Sequence, residues 1–100
     1  MKFGLPDTCV EALRKLFSEF SSIQKVIIYG SRAKGNYRPF SDIDLTIVGD
    51  DVSKDDYYAL DAKIDDLLLP YEIDLSVFKD LKNETLIDHI QRRGLEFYPG

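Results

Sequence analysis

The chain has 100 residues, a formal net charge of −5 and 44% hydrophobic residues. That length fits about one domain, with room for a modest core but not for a large substrate pocket as well. The acidic balance argues against broad electrostatic binding of nucleic acid, and no apolar stretch approaches the roughly 20 residues of a membrane helix.

Charge interrupts the N-terminal residues MKFGLPDTCVEALRK at once, so they do not read as a signal segment. A cytoplasmic location is the default expectation. Cys9 is the only cysteine and precedes an apolar helical stripe, which suits a small buried side chain rather than a reactive thiol. The only histidine, His89, lies far away in sequence and has no ligating neighbour beside it.

Residues 7–20 read as a helix, with Thr8 and Glu11 placed as a capping box and Val10, Leu13, Leu16, Phe17 and Phe20 on one stripe. The β-branched run KVIIY, residues 25–29, suits a buried strand that Gly30-Ser31 breaks. One helical turn over 31–36 and a loop containing Pro39 follow. Residues 43–48 alternate: Ile43, Leu45 and Ile47 face one way, Asp44, Thr46 and Val48 the other, and Asp42 falls on the side of Asp44.

A second long helix spans 54–69. Ser53 and Asp56 form its capping box, Tyr57, Leu60, Ile64, Leu67 and Leu68 its buried stripe, and Pro70 its stop. EIDLSVF, residues 72–78, alternates again, with Glu72, Asp74 and Ser76 pointing away from the core. Asn83 caps a last helix carrying Leu86, Ile87 and Ile90; Gly94 fits its C′ position, and LEFY suits a short edge strand. The order predicts a single α/β (α+β) domain over 1–100, on a small sheet.

Three features of this pattern carry chemistry. Gly30 permits close backbone approach to a ligand, and Ser31 offers a hydroxyl and an N–H where a helical turn begins. Asp42 and Asp44 aim two carboxylates at one place. Asp74 joins them if the two Asp-bearing strands are neighbours. Alone, the Gly-Ser is an ordinary turn and the D-x-D a solvated strand end; the combination is the signal. Hard oxygen donors suit Mg²⁺ together with substrate phosphates, and three carboxylates suit two ions about 3.5–4 Å apart. Arg32, Lys34 and Arg38 lie in or near the turn, as phosphate partners or as solvated cations. GSRAKG lacks the spacing and the Lys-Ser/Thr of a phosphate-binding P-loop, and DDVSKDD lacks the glycine and glutamate of a calcium loop.

GSRAKGNYRPFSDIDL resembles the signature of the DNA polymerase beta-like nucleotidyltransferase superfamily: G-S, ten residues, then D-x-D. Together with PYEIDLSVF it is most similar to the minimal nucleotidyltransferases (MNT) of MNT–HEPN toxin–antitoxin pairs. The resemblance implies a mixed sheet with packed helices. It implies that Asp42, Asp44 and Asp74 bind Mg²⁺, two ions in all, and act in catalysis. It implies that Gly30 and Ser31, with Arg32 and Lys34 beside them, hold the triphosphate of ATP. It further implies transfer of AMP to a hydroxyl, expected to be a tyrosine, of a HEPN-type toxin partner. A small acceptor such as an aminoglycoside, or neutralisation of the partner by occlusion alone, are the alternatives.

Overall fold

In a computed structural model that describes residues 1–100, the elements run α1 (Asp7–Ser18), β1 (Lys25–Tyr29), α2 (Ser31–Lys34), β2 (Ile43–Val48), α3 (Lys54–Asp66), β3 (Ile73–Val77), a 3₁₀ turn (Phe78–Asp80), α4 (Glu84–Arg93) and β4 (Leu95–Tyr98). The four strands form one sheet in the order β3-β2-β1-β4. β1 pairs antiparallel with β2 and with β4, whereas β2 and β3 run parallel. The parallel pair follows from the connection: α3 carries the chain back across the sheet before β3 begins. The sheet is therefore mixed, as expected.

The alternation in the strands decides what each face of the sheet meets. Val26 and Ile28, then Ile43, Leu45 and Ile47, then Leu75 and Val77 join Val10, Leu13 and Phe17 of α1 and Leu60 and Ile64 of α3 in one core. Phe17 stands edge-on to Phe97 of β4 with ring centroids 6.1 Å apart, which fixes α1 over the far edge of the sheet. α4 covers the opposite face. There Gly94 abuts Ile27, and a Cβ on it would meet both the Ile27 side chain and the Ile90 carbonyl. Gly94 has φ −66°, so close packing on β1, rather than a left-handed cap, requires the glycine.

Other local expectations are corrected by the structure. α1 starts behind Pro6 with no side-chain cap, so Thr8 and Glu11 form no capping box; Asp7 instead meets the N-terminal ammonium at 3.1 Å. At α3 only half of the box forms. Ser53 Oγ accepts from the Asp56 N–H at 3.0 Å, while the Asp56 carboxylate accepts from the Ser22 hydroxyl at 2.8 Å and ties α3 to the turn before β1. α3 ends at Asp66, and Leu68 takes φ 53°, which turns its side chain out to 88% exposure instead of into the stripe. Thr46, on the side of β2 away from the main core, is fully buried; its hydroxyl accepts from Ser76 at 2.9 Å.

Candidate active site

The strand register brings the predicted residues together. β1 ends at Tyr29, opposite Asp44 of β2, and Asp44 lies opposite Asp74 of β3. Three adjacent strands thus deliver Tyr29, Asp44 and Asp74 to one row at one end of the sheet, on the face that α4 covers. Gly30 follows Tyr29 directly. It holds φ 77° and ψ −153°, a conformation open essentially to glycine, and a Cβ there would overlap Asp44 Oδ2. The Gly-Ser turn and the D-x-D pair are therefore in contact through Gly30 and Asp44, although ten residues of sequence separate Ser31 from Asp42.

Asp42, Glu72, Ile73 and Asp74 line an open cavity of about 310 Å³ at the same sheet end. Asp42 and Asp74 are exposed; Asp44, between them, is half-buried. Burial pushes the Asp44 carboxyl above the usual carboxylate range, and the charges of Asp74 and Asp42 push it further, against a smaller opposing pull from His89. A carboxylate held next to like charges in a partly dry place is costly without a cation. The donor set, hard carboxylate oxygens on neighbouring backbone positions, fits Mg²⁺. The side chains do not close into a ready-made cluster of three or more ligands.

A pH dependence follows from Asp44. Its folded pKa is raised, so the fold penalises the charged form. The penalty is absent below the unfolded pKa, where both states are protonated, and full above the folded pKa. In chelator, the Asp44→Asn variant is expected to melt at or above the wild-type temperature at pH 7. The gap should close as the pH falls to about 4, near the carboxylate's ordinary range. A variant that melts lower at pH 7, with a gap independent of pH, would contradict this electrostatic reading.

Two residues join the site that sequence spacing did not single out. Glu72 is the fourth carboxylate; its position two residues before Asp74 was the available signal. His89 of α4 stands edge-on to Tyr29, ring centroids 6.4 Å apart, and so overlooks the Asp44 row. Nothing in the local sequence indicated that α4 would cover this face.

The cations separate. Lys34 and Arg38 are exposed around the turn, free to reach a phosphate. Arg32 does not meet the expectation of a phosphate contact: it is 2% exposed, and its guanidinium points into the protein, where backbone carbonyls take its protons. Cys9 is buried too, and burial pushes its thiol up, away from nucleophilic chemistry.

A Gly-Ser turn touching a carboxylate pair at the end of a small mixed sheet defines a nucleotidyltransferase fold. The family model "Polymerase beta, Nucleotidyltransferase" matches residues 11–99, and the chain belongs to that family. A crystal structure of a toxin–antitoxin with AMP-PNP is similar in fold, with a TM-score of 0.71 and 20% identity over 89% of this chain and 72% of that one. So is a tri-AMPylated HEPN toxin of Shewanella oneidensis in complex with its MNT antitoxin, with a TM-score of 0.66 and 17% identity over 91% of this chain and 70% of that one. A nucleotidyltransferase from Sulfolobus solfataricus matches with a TM-score of 0.57 and 22% identity, covering 89% and 75% of the two chains. Among curated proteins nothing matches this sequence. No helix is long and apolar enough to cross a membrane.

Proposed function

We propose that this domain, residues 1–100 acting as one unit, transfers AMP from ATP to a hydroxyl of a HEPN-type toxin and acts as its antitoxin in the cytoplasm. The observation that carries this reading is the register of Asp44 against Asp74 on parallel neighbouring strands, with Gly30 packed against Asp44 from the other side. The neighbours bound to AMP-PNP or to an AMPylated HEPN toxin support it by their shared fold.

The division of labour follows from position. Gly30 and Ser31 receive the triphosphate, since the turn leaves room for backbone approach and offers the Ser31 hydroxyl. Lys34 stands ready for the phosphate charge. Asp42 and Asp44 would hold Mg²⁺, with Asp74 completing the set, and the bound metal would supply positive charge against the triphosphate and the departing pyrophosphate. An acceptor hydroxyl attacks the α-phosphorus in line and gives up its proton to solvent; the bond to the pyrophosphate oxygen breaks, pyrophosphate leaves, and an AMP ester remains on the acceptor. Asp74 lies on β3, the edge strand of the sheet, and is exposed, so a partner protein can bring its hydroxyl to it from outside.

Neutralisation tests whether catalysis or occlusion protects the cell. The triple variant Asp42→Asn, Asp44→Asn, Asp74→Asn, co-expressed with the toxin at equal level, is expected to lose protection. Full protection by that variant would mean that binding alone suffices.

A further inference from the structure

Arg32 is a buried cation without an anionic partner: none of the ion pairs in the protein includes it. Burying a charge is tolerable only where hydrogen bonds replace water. Here its Nε and Nη2 donate to Ser41 O at 3.1 and 2.9 Å, and Nη2 also reaches Pro39 O at 3.3 Å. Nη1 donates to Phe3 O at 3.0 Å and Gly4 O at 3.3 Å. The guanidinium lies against Tyr37 and Tyr71, 5.3 and 5.0 Å from the ring centroids.

Arg32 and two of these partners stand beside pieces of the candidate site. Arg32 itself follows Ser31. Ser41 precedes Asp42. Tyr71 precedes Glu72, whose carbonyl accepts from the Ile43 N–H at 2.9 Å. The intervening segment, residues 36–40, is exposed. Its own closure consists of a turn in which the Ser41 N–H meets Arg38 O at 3.0 Å and the Arg38 N–H meets Ser41 Oγ at 2.8 Å. That turn would remain as a local unit without Arg32, and the Tyr37 ring would still lie against Gly4, but the hydrogen bonds that join α2 to Ser41, Phe3 and Gly4 would be gone.

We propose that Arg32 is a positioning residue that orders the 36–41 loop and the 3–4 segment before ATP arrives, and so sets nucleotide affinity without touching the nucleotide. This rests on the nucleotidyltransferase reading of the site. With the clamp intact, Ser31 and Asp42 keep one relative placement, and binding does not have to order the loop. With it loosened, only the ordered fraction binds, and apparent affinity falls by that fraction. Lysine cannot replace it, because a single ammonium does not reproduce the planar fork that serves Ser41, Phe3 and Gly4 together.

The test uses the chain of residues 1–100 and its variant Arg32→Lys. Amide hydrogen exchange is followed over residues 2–5 and 36–42. Binding of Mg²⁺ with an ATP analogue that cannot be cleaved between the α- and β-phosphorus is measured by calorimetry, and kcat for AMP transfer is measured at saturating ATP. Arg32→Lys should exchange faster in both segments, bind the analogue about tenfold more weakly, and keep kcat within about threefold. Unchanged affinity, or a collapse of kcat with affinity intact, would overturn the proposal. If Arg32→Lys does not fold, Tyr37→Leu, which removes the ring that lies against both the Arg32 guanidinium and Gly4, should show the same two effects to a smaller degree, and wild-type affinity in it would overturn the proposal. A wild-type chain that binds the analogue but transfers no AMP would refute the transfer reading while leaving the clamp test standing. A wild-type chain that binds no analogue refutes both.

Discussion

The Asp44→Asn variant is expected to lose AMP transfer by about a thousandfold or more, the scale on which a central electrostatic group of a transfer site acts. The reason lies in position rather than in charge alone. Asp44 is the middle member of the row, opposite Tyr29 on one side and Asp74 on the other, with the Gly30 backbone against its carboxylate. No other carboxylate in the site has that placement, so neither Asp42 nor Glu72 can take over its work. The fold should survive, because Asp44 is only half-buried and its charge is a cost to the metal-free protein. Loss of activity with an unchanged or raised melting temperature is the expected combination. Mg²⁺ should raise the melting temperature of the wild type and not of the variant. Retention of full activity would remove Asp44 from the reaction.

Gly30→Ala is expected to be the next most damaging change, and on two counts. Its φ of 77° with ψ −153° belongs to a region that costs a side-chain-bearing residue about 1–3 kcal/mol. The added Cβ would also overlap Asp44 Oδ2, so the carboxylate or the turn has to move. A displacement of about 1 Å at such a place typically costs about a hundredfold in rate. Melting by circular dichroism and AMP transfer should therefore both fall. Gly35 is the control. It also has positive φ, but a Cβ there meets nothing within 4 Å, so Gly35→Ala should cost stability through backbone strain with a much smaller loss of transfer. Equal losses of transfer in the two variants would mean that the Gly30–Asp44 contact has no special part in the chemistry.

Much of this site was legible in the sequence, for a physical reason. Strand periodicity is strict, so the two-residue spacing of Asp42 and Asp44 and the matching polarity of Asp74 translate directly into one face of a sheet. What periodicity does not contain is the covering of that face. Thr46 shares the side of Asp44 in IDLTIV, away from the core residues Ile43, Leu45 and Ile47, and is nevertheless fully buried. His89 reads as isolated and stands over Tyr29, because α4, some 60 residues after β1, packs on that face of β1. Arg32 is the clearest divergence. Its place between Ser31 and Lys34 suggests phosphate, whereas the carbonyls that hold it come from residues 3–4 and 39–41, and no local pattern marks them as its partners. The helix ends differ for smaller causes. Pro6 leads into α1 without a side-chain cap, and Leu68 leaves its stripe because the backbone turns left-handed two residues after the last helical residue.

The central claim, AMP transfer onto a protein hydroxyl by the carboxylate row, is tested most directly by intact-mass spectrometry. The chain is mixed with its HEPN-type partner, ATP and Mg²⁺, beside an identical mixture containing Asp44→Asn. The expected result is a mass gain of one or more AMP units on the partner with the wild type and none with the variant. A tight complex that forms with no added mass on the partner would contradict the claim and identify occlusion as the means of neutralisation.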